Sequence, residues 1–159
     1  KVDYEKLNWF NHDAKRYFKD GSFDFIIESV GVYTNTEIMN LACESIIGRN
    51  NDLFQLFNNE NILVKKNVVN IDNSFDVVLD DIDYTIGKCI EYILHYEYFK
   101  NQKIFNYVGF LKAHPHDNHS VIRIAFRDEK KANITNINGI FKHAIQISNQ
   151  IFKNIVEYF

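Results

Sequence analysis

Cysteine is scarce in this chain, since only Cys43 and Cys89 occur among its 159 residues. They form no C-x-x-C pair, and each lies within an apolar helical pattern, which predicts two small core residues in a reducing compartment. A disulfide between the two cysteines is a possibility that the sequence leaves undecided. A cysteine nucleophile is not expected, because both thiols are predicted to be buried and no Cys-His arrangement can be argued.

Positive charge is not in excess. The 18 Lys and Arg residues are outnumbered by 21 Asp and Glu residues, so the formal net charge is -3 and the sequence pI is near 6.1. Proteins that hold nucleic acid neutralise its phosphates with a basic surface. We therefore expect no direct contact with DNA or RNA, and we interpret the pairs Lys65-Lys66 and Lys130-Lys131 as solvated surface.

Long apolar runs and glycine-rich loops are absent too. Apolar stretches such as 104–111 are much shorter than a membrane span, and the N-terminus has no basic-then-apolar signal pattern. Gly87 and Gly109 stand alone rather than in a loop that cradles phosphates. These absences predict an intracellular protein with no membrane segment and no cofactor.

Hydrophobic residues, in contrast, are plentiful. They make up 46% of the chain, which is enough to bury a core as one compact domain or as two small intertwined ones. Residue 1 is Lys rather than Met, so we expect the sequence to begin inside a longer product.

The N-terminal stretch begins with a short amphipathic pattern. Apolar residues recur every three or four positions over 4–18, which favours a short helix or an irregular lead-in. From Phe23 to Glu28 the side chains alternate, with Phe23, Phe25 and Ile27 on one face, which is the period of a β-strand. The sequence therefore predicts a strand at 23–28.

A long helix is predicted next. Thr34 and Glu37 form a capping box, and apolar residues then recur at helical spacing for about five or six turns. We expect this helix to be loosened near Gly48 and Asn50-Asn51. The polar run 58–61 has no apolar period, so it predicts a junction between two units.

The rest of the chain alternates strand and helix patterns. Strands are predicted at 68–71, 75–79, 105–111 and 121–126, a helix after the Asp83 cap, and a long terminal helix over 133–159. This order predicts an α+β fold in which an antiparallel sheet is covered on one face by helices. Apolar residues of the terminal helix step by four and three positions, the spacing of a helix that packs along another helix.

The turn between the last two predicted strands is rich in histidine. His114, His116 and His119, with Asp117, supply imidazole and carboxylate groups of the kind that bind a divalent metal. The other interpretation is a polar turn made rigid by Pro115, with its imidazole rings in solvent. We favour the polar turn, because ligands so close in sequence would all have to come from one small loop.

Acidic residues cluster where a predicted strand ends. Asp80, Asp81 and Asp83 resemble the paired carboxylates of metal and general-base sites, but no nucleophile or complementary base adjoins them. We interpret them as a solvated helix start, which the positive end of the helix dipole favours. No Ser-His-Asp arrangement can be argued either, so no catalytic residues are predicted.

Several short motifs occur in the second half of the chain. They are Asp83-Tyr84-Thr85-Ile86-Gly87-Lys88 at a helix start, Tyr107-Val108-Gly109-Phe110 followed by His114-Pro115, and Val121-Ile122-Arg123-Ile124 before the terminal helix. Together they resemble the smaller alpha-like subunit of DNA-directed RNA polymerases, over about residues 68–159. In that family the helix start is of the type Asp-His-Thr-Leu-Gly-Asn, so Tyr84 and Lys88 depart from the pattern. The residues assigned to the family motifs are Asp83, Thr85, Ile86 (where the family has leucine), Gly87, Gly109, His114 and Pro115.

The first part of the chain also shows a resemblance, in this case to the larger alpha-like subunit. The segment 23–31 and the helix after it are similar to the C-terminal strand and helix of the dimerisation domain in the larger alpha-like subunit, over about 23–57. The two likenesses imply an alpha-subunit dimerisation-type fold, with 1–60 as the larger-subunit part and 61–159 as the smaller-subunit part, packed as one body. Some large DNA viruses fuse the two subunits, so the order implies the C-terminal part of a viral fusion product.

The resemblance implies an assembly platform without chemistry of its own. Its partners would be the second-largest and largest polymerase subunits and the small zinc-binding subunits, and nucleotidyl transfer would belong to the large subunits. It would act in the virion or host cytoplasm if viral, and in the nucleus if cellular. Its two long helices would pair through Ile38, Ala42, Ile46, Ile137, Phe141, Ala144, Ile151 and Ile155.

Two other functions stay open at this point. One is a homodimerising α+β module, whose terminal helix would pair with a second copy of the chain. The other is a metal-binding protein built on the turn from His114 to His119.

Overall fold

The computed structural model describes residues 1–59, 61–67, 71–114 and 116–159. Contacts within the chain divide it into two compact units, Lys1–Asn35 and Thr36–Phe159. The junction predicted at 58–61 therefore lies within the second unit. The assignment of 1–60 and 61–159 to two alpha-like parts stays a prediction.

The first unit contains a short helix and an extended segment. Helix α1 spans Val2–Asn11 and a 3-10 turn spans Ala14–Arg16, so the helix predicted over 4–18 is present but begins earlier and ends sooner. The strand predicted at 23–28 is wrong, because these residues join no sheet. Alternation produces a strand only where a neighbouring strand takes up the backbone hydrogen bonds. Phe23 and Phe25 are instead 77% and 81% exposed.

The second unit has an α+β architecture, as predicted. Its elements are α2 (Asn35–Asn58, beginning one residue before the unit), β1 (Leu63–Asn67), β2 (Ser74–Asp80), α3 (Tyr84–Leu94), a π-helical turn (His95–Asn101), β3 (Phe105–Leu111), β4 (His119–Phe126), a 3-10 turn (Glu129–Lys131) and α4 (Ile134–Tyr158). The long C-terminal helix is confirmed. Helix α2 continues through Gly48 and Asn50 without interruption, so the expected loosening there is wrong.

The four strands form one antiparallel sheet in the order β1-β2-β4-β3. The strand predicted at 68–71 falls mostly on residues outside the described ranges, and Ile71 lies in a bend. The first strand of this sheet is instead β1, which the sequence pattern did not reveal. As an edge strand it carries Lys65 and Lys66, so its apolar alternation is broken.

The core lies on one face of the sheet, beneath the helices. Alternate residues of the two central strands, Phe75, Val77 and Leu79 of β2 and Ile122, Ile124 and Phe126 of β4, are buried there. Helix α3 contributes Ile86, Ile90, Ile93 and Leu94, and α4 contributes Ile137, Phe141, Ala144 and Ile145. None of the helices within the described ranges is both long and apolar enough to cross a membrane.

Candidate functional site

The start of α3 is fixed by Asp83, the first residue of the predicted family motif. Its carboxylate accepts hydrogen bonds from the backbone N–H groups of Thr85 (3.0 Å) and Ile86 (3.4 Å), as a helix N-cap does. Arg49 of α2 donates to the same carboxylate at 3.0 Å and to the carbonyl oxygen of Asp81 at 3.2 Å. Asp83 therefore joins the beginning of α3 to the middle of α2.

The ionised form of Asp83 is favoured by these partners. Burial by itself raises the pKa of this carboxyl, but hydrogen bonds from Arg49 and from the backbone of Ile86 and Thr85 outweigh it, so the pKa is lowered. Asp83 therefore holds the start of α3 in its ionised form.

Gly87 permits a close contact between α3 and strand β3. A Cβ atom at this position would lie 2.1 Å from the ring of Phe110, much closer than two carbon atoms can approach. Phe110 belongs to the second motif, so the structure brings the two motifs of the sequence together. Ile86, next to this glycine, is fully buried.

The two residues that depart from the family pattern lie on the outer side of the same corner. Tyr84 is about half exposed, meets the Phe110 ring edge-on at 5.3 Å, and donates its hydroxyl to the carbonyl of Lys112 at 3.3 Å. Lys88 pairs with Glu91, which also accepts the backbone N–H of Phe110 at 3.1 Å. Both residues therefore support the contact between α3 and β3.

Gly109 lies on the face of the sheet opposite the core. A Cβ atom there would lie 2.5 Å from the hydroxyl oxygen of Tyr107. Tyr107 is 41% exposed, so its ring has room to turn aside. The requirement for glycine is thus weaker at Gly109 than at Gly87.

The histidine-rich turn is exposed. The rings of His114 and His116 lie 5.2 Å apart, and the backbone N–H of His116 donates to His114 Nδ1 at 3.2 Å. His119 instead contacts Asp80 at 3.2 Å, and Pro115 lies outside the described residues. In the part of the chain that the structure describes, no three His, Cys, Asp or Glu side chains are placed to hold a metal ion.

The acidic cluster is divided among separate partners. Asp80 contacts His119 and Asp83 contacts Arg49. Asp81 takes a left-handed backbone conformation (φ 55°) and donates its N–H to the carbonyl of Asn118 at 2.7 Å. The carboxylates of Asp80 and Asp83 thus have separate partners, and Asp81 takes part through its backbone.

Helices α2 and α4 lie in contact and run antiparallel. The rings of Phe57 and Phe141 stack with centroids 5.1 Å apart, and seven residues earlier along α2 the Asn50 side chain donates to Ser148 Oγ at 2.9 Å. Of the residues predicted to form this pair, Ile137, Phe141 and Ala144 are buried, Ile38, Ile46 and Ile155 are half-buried, and Ala42 and Ile151 are exposed.

The buried residues of α2 are Cys43, Asn50, Leu53 and Phe57. The predicted Ile46 is partly buried and packs against the core. Asn50 was not predicted as a contact residue because a polar side chain does not mark an apolar stripe. Both cysteines are free, with Cys43 buried and Cys89 half-buried, and burial raises the pKa of each thiol.

Sequence reasoning also missed an ion pair across the sheet. Arg123 of β4 donates to both carboxylate oxygens of Asp76 of β2, at 2.6 and 2.8 Å. This hydrogen bonding is the main cause that lowers the pKa of Asp76. The two residues are 47 positions apart and face each other only through the strand register, so no local pattern could have found them.

Comparison with known proteins identifies no family. No family model matches the chain, and no curated protein matches it either.

Proposed function

We propose that this chain is a non-catalytic assembly subunit of a multisubunit DNA-directed RNA polymerase. In this role it combines parts of the two alpha-like subunits in one polypeptide. It holds the second-largest subunit and recruits the largest subunit and small zinc-binding subunits, which carry the chemistry.

One observation carries the proposal: two of the motifs that suggested it, at 83–88 and at 107–110, meet in one corner of the second unit. Asp83 caps α3, Gly87 allows Phe110 of β3 to pack against that helix, and Arg49 of α2 contacts the cap. Arg49 and Phe110, about 60 positions apart, thus both contact the start of α3. They help to join α2, which carries the first likeness, to α3 and β3, which carry the second.

The antiparallel pair of α2 and α4 supports the same role. In separate alpha-like subunits such a pairing would be intermolecular, whereas here both helices belong to one chain. Covalent linkage raises the effective concentration of two partners to the millimolar order for a short linker. A platform built in this way assembles without waiting for a second chain.

A homodimerising module is the second candidate, favoured by apolar residues that remain exposed on the paired helices. Leu41 of α2 is 47% exposed and Ile151 of α4 is 44% exposed. Association through a surface that includes these residues would bury them. The substitution Ile151→Asp places a charge there without touching the core, so it separates the two functions.

The test is affinity capture of the tagged full-length protein from its native source, followed by mass spectrometry. The proposal predicts recovery of two very large polymerase polypeptides in equal amounts, both with the wild-type chain and with Ile151→Asp. Recovery of the chain only with itself, lost in Ile151→Asp, would establish the homodimer instead. Recovery of the chain alone would refute both.

A further inference from the structure

The contact between α2 and α4 contains a group of polar side chains. Asn50 is fully buried, and its side-chain amide donates to Ser148 Oγ at 2.9 Å and to Asn149 Oδ1 at 3.0 Å. Asn149 in turn donates to Asn51 Oδ1 at 2.8 Å. We call these four residues, Asn50, Asn51, Ser148 and Asn149, the polar ladder.

The buried part of the polar ladder, Asn50 and Ser148, lies among apolar residues, whereas Asn149 is half-buried and Asn51 is exposed. Phe57 and Phe141 stack two turns away on one side, and the buried Cys43 lies two turns away along α2 on the other. Asn50 Oδ1 is buried and has no hydrogen-bond partner among the described residues. A buried acceptor left without a partner destabilises a protein, so stability alone does not explain asparagine at this position.

The polar ladder is sensitive to the register of the two helices. Seven residues forward along α2, from Asn50 to Phe57, correspond to seven residues back along α4, from Ser148 to Phe141. A slide of α4 by one helical turn would place Asn50 opposite Ala144 or Phe152 in place of Ser148. The amide would then lose its hydrogen bonds in an apolar environment.

We propose that the polar ladder determines which helix α4 pairs with and in which register, so that α4 pairs with an α2 helix rather than with a second α4. A single buried asparagine fixes register and partner number in coiled coils at a cost in stability. If α4 paired with α4 of a second copy, Ser148 and Asn149 would lose Asn50, and Asn50 would lose both acceptors. The proposal concerns the helix pair alone and does not depend on the function of the chain.

The test replaces the central polar pair with apolar residues in the full-length chain, as Asn50→Leu with Ser148→Ala. The matched control is Gln55→Leu, a similar change at an exposed position of the same helix. Thermal unfolding reports stability, light scattering reports the molar mass, and a two-dimensional amide NMR spectrum reports the number of helix arrangements.

The wild-type chain and the control are expected to be monomers with one set of amide signals. The double variant is expected to unfold at the same or a higher temperature, while part of the population becomes dimeric or shows a second set of signals for α2 and α4. A double variant that stays monomeric with one set of signals would overturn the proposal. So would a wild-type dimer joined through α4, or a double variant that no longer folds.

Discussion

The two units of the chain use similar hydrophobic patterns with opposite results. In Lys1–Asn35, all of which is described, no residue is buried, and Phe25 is 81% exposed. In Thr36–Phe159, Phe141 is fully buried in the core. A hydrophobic pattern therefore predicts which face of an element will seek a partner, but the partner decides whether that face becomes buried.

The sharpest way to test this difference is to place the same charge in each unit. Phe141→Asp puts an unpaired carboxylate into the apolar core, against the Phe57 ring, and should cost about 4 kcal/mol or more of unfolding free energy. Phe25→Asp, in the exposed extended segment, should change it by less than about 0.5 kcal/mol. Urea unfolding followed by circular dichroism measures both. Equal effects would show that residues near Phe25 are packed.

Glycine substitutions give the next largest contrast, this time within the second unit. Gly87→Ala should destabilise the protein by about 1 to 3 kcal/mol, because Phe110 must move to admit the new methyl group. Gly48→Ala, at a helical position with open space around it, should stabilise the protein by about 0.5 to 1 kcal/mol. Thermal unfolding measures the change in stability of each variant. A harmless Gly87→Ala would remove the packing argument for the α3 corner.

Lowering the pH should reduce the stability of the second unit, because it protonates aspartates that are hydrogen-bonded in their ionised form. Hydrogen bonds from Arg123 hold the pKa of Asp76 below its ordinary value, so this interaction stabilises the fold above the unfolded-state pKa of about 4 and is lost as pH falls through the lower folded-state pKa. Arg123→Gln should cost about 1 to 2 kcal/mol near pH 7 and reduce the loss of stability on acidification.

Urea unfolding at pH 7 and pH 3 measures this dependence. The control is Lys153→Gln, which removes an exposed cation from α4 and should leave the pH dependence unchanged. If Arg123→Gln and Lys153→Gln behaved alike, the ion pair across the sheet would not contribute.

The smallest effect is expected in the histidine-rich turn. His116→Ala removes an exposed ring and should alter stability by less than about 0.5 kcal/mol and leave assembly intact. The measurement is thermal unfolding with and without added zinc. A large zinc-dependent rise in the unfolding temperature that disappears in His116→Ala would favour the metal-binding alternative.

Sequence predicted the helices well where an N-cap residue or a long apolar period marks them. Helix α4 and the cap at Asp83 followed from local patterns, because capping and amphipathic spacing act over a few residues. The antiparallel α+β arrangement followed from the order of the elements.

Features that depend on distant residues could not be predicted. The edge strand β1 carries lysines because its outer side faces solvent, so it lacks a clean alternation. The strand expected at 23–28 does not form, because no neighbouring strand takes up its backbone hydrogen bonds. Asn50 and the pair of Asp76 with Arg123 acquire their roles only when separate elements come together.

We propose that one copy of this chain, with both long helices, serves as an assembly platform of a polymerase. The measurement that decides this is native mass spectrometry of the complex captured from the native source. We expect one copy of this chain with one copy of each of two very large subunits. A complex that contains two copies of this chain, or a mass equal to the chain paired only with itself, would contradict it.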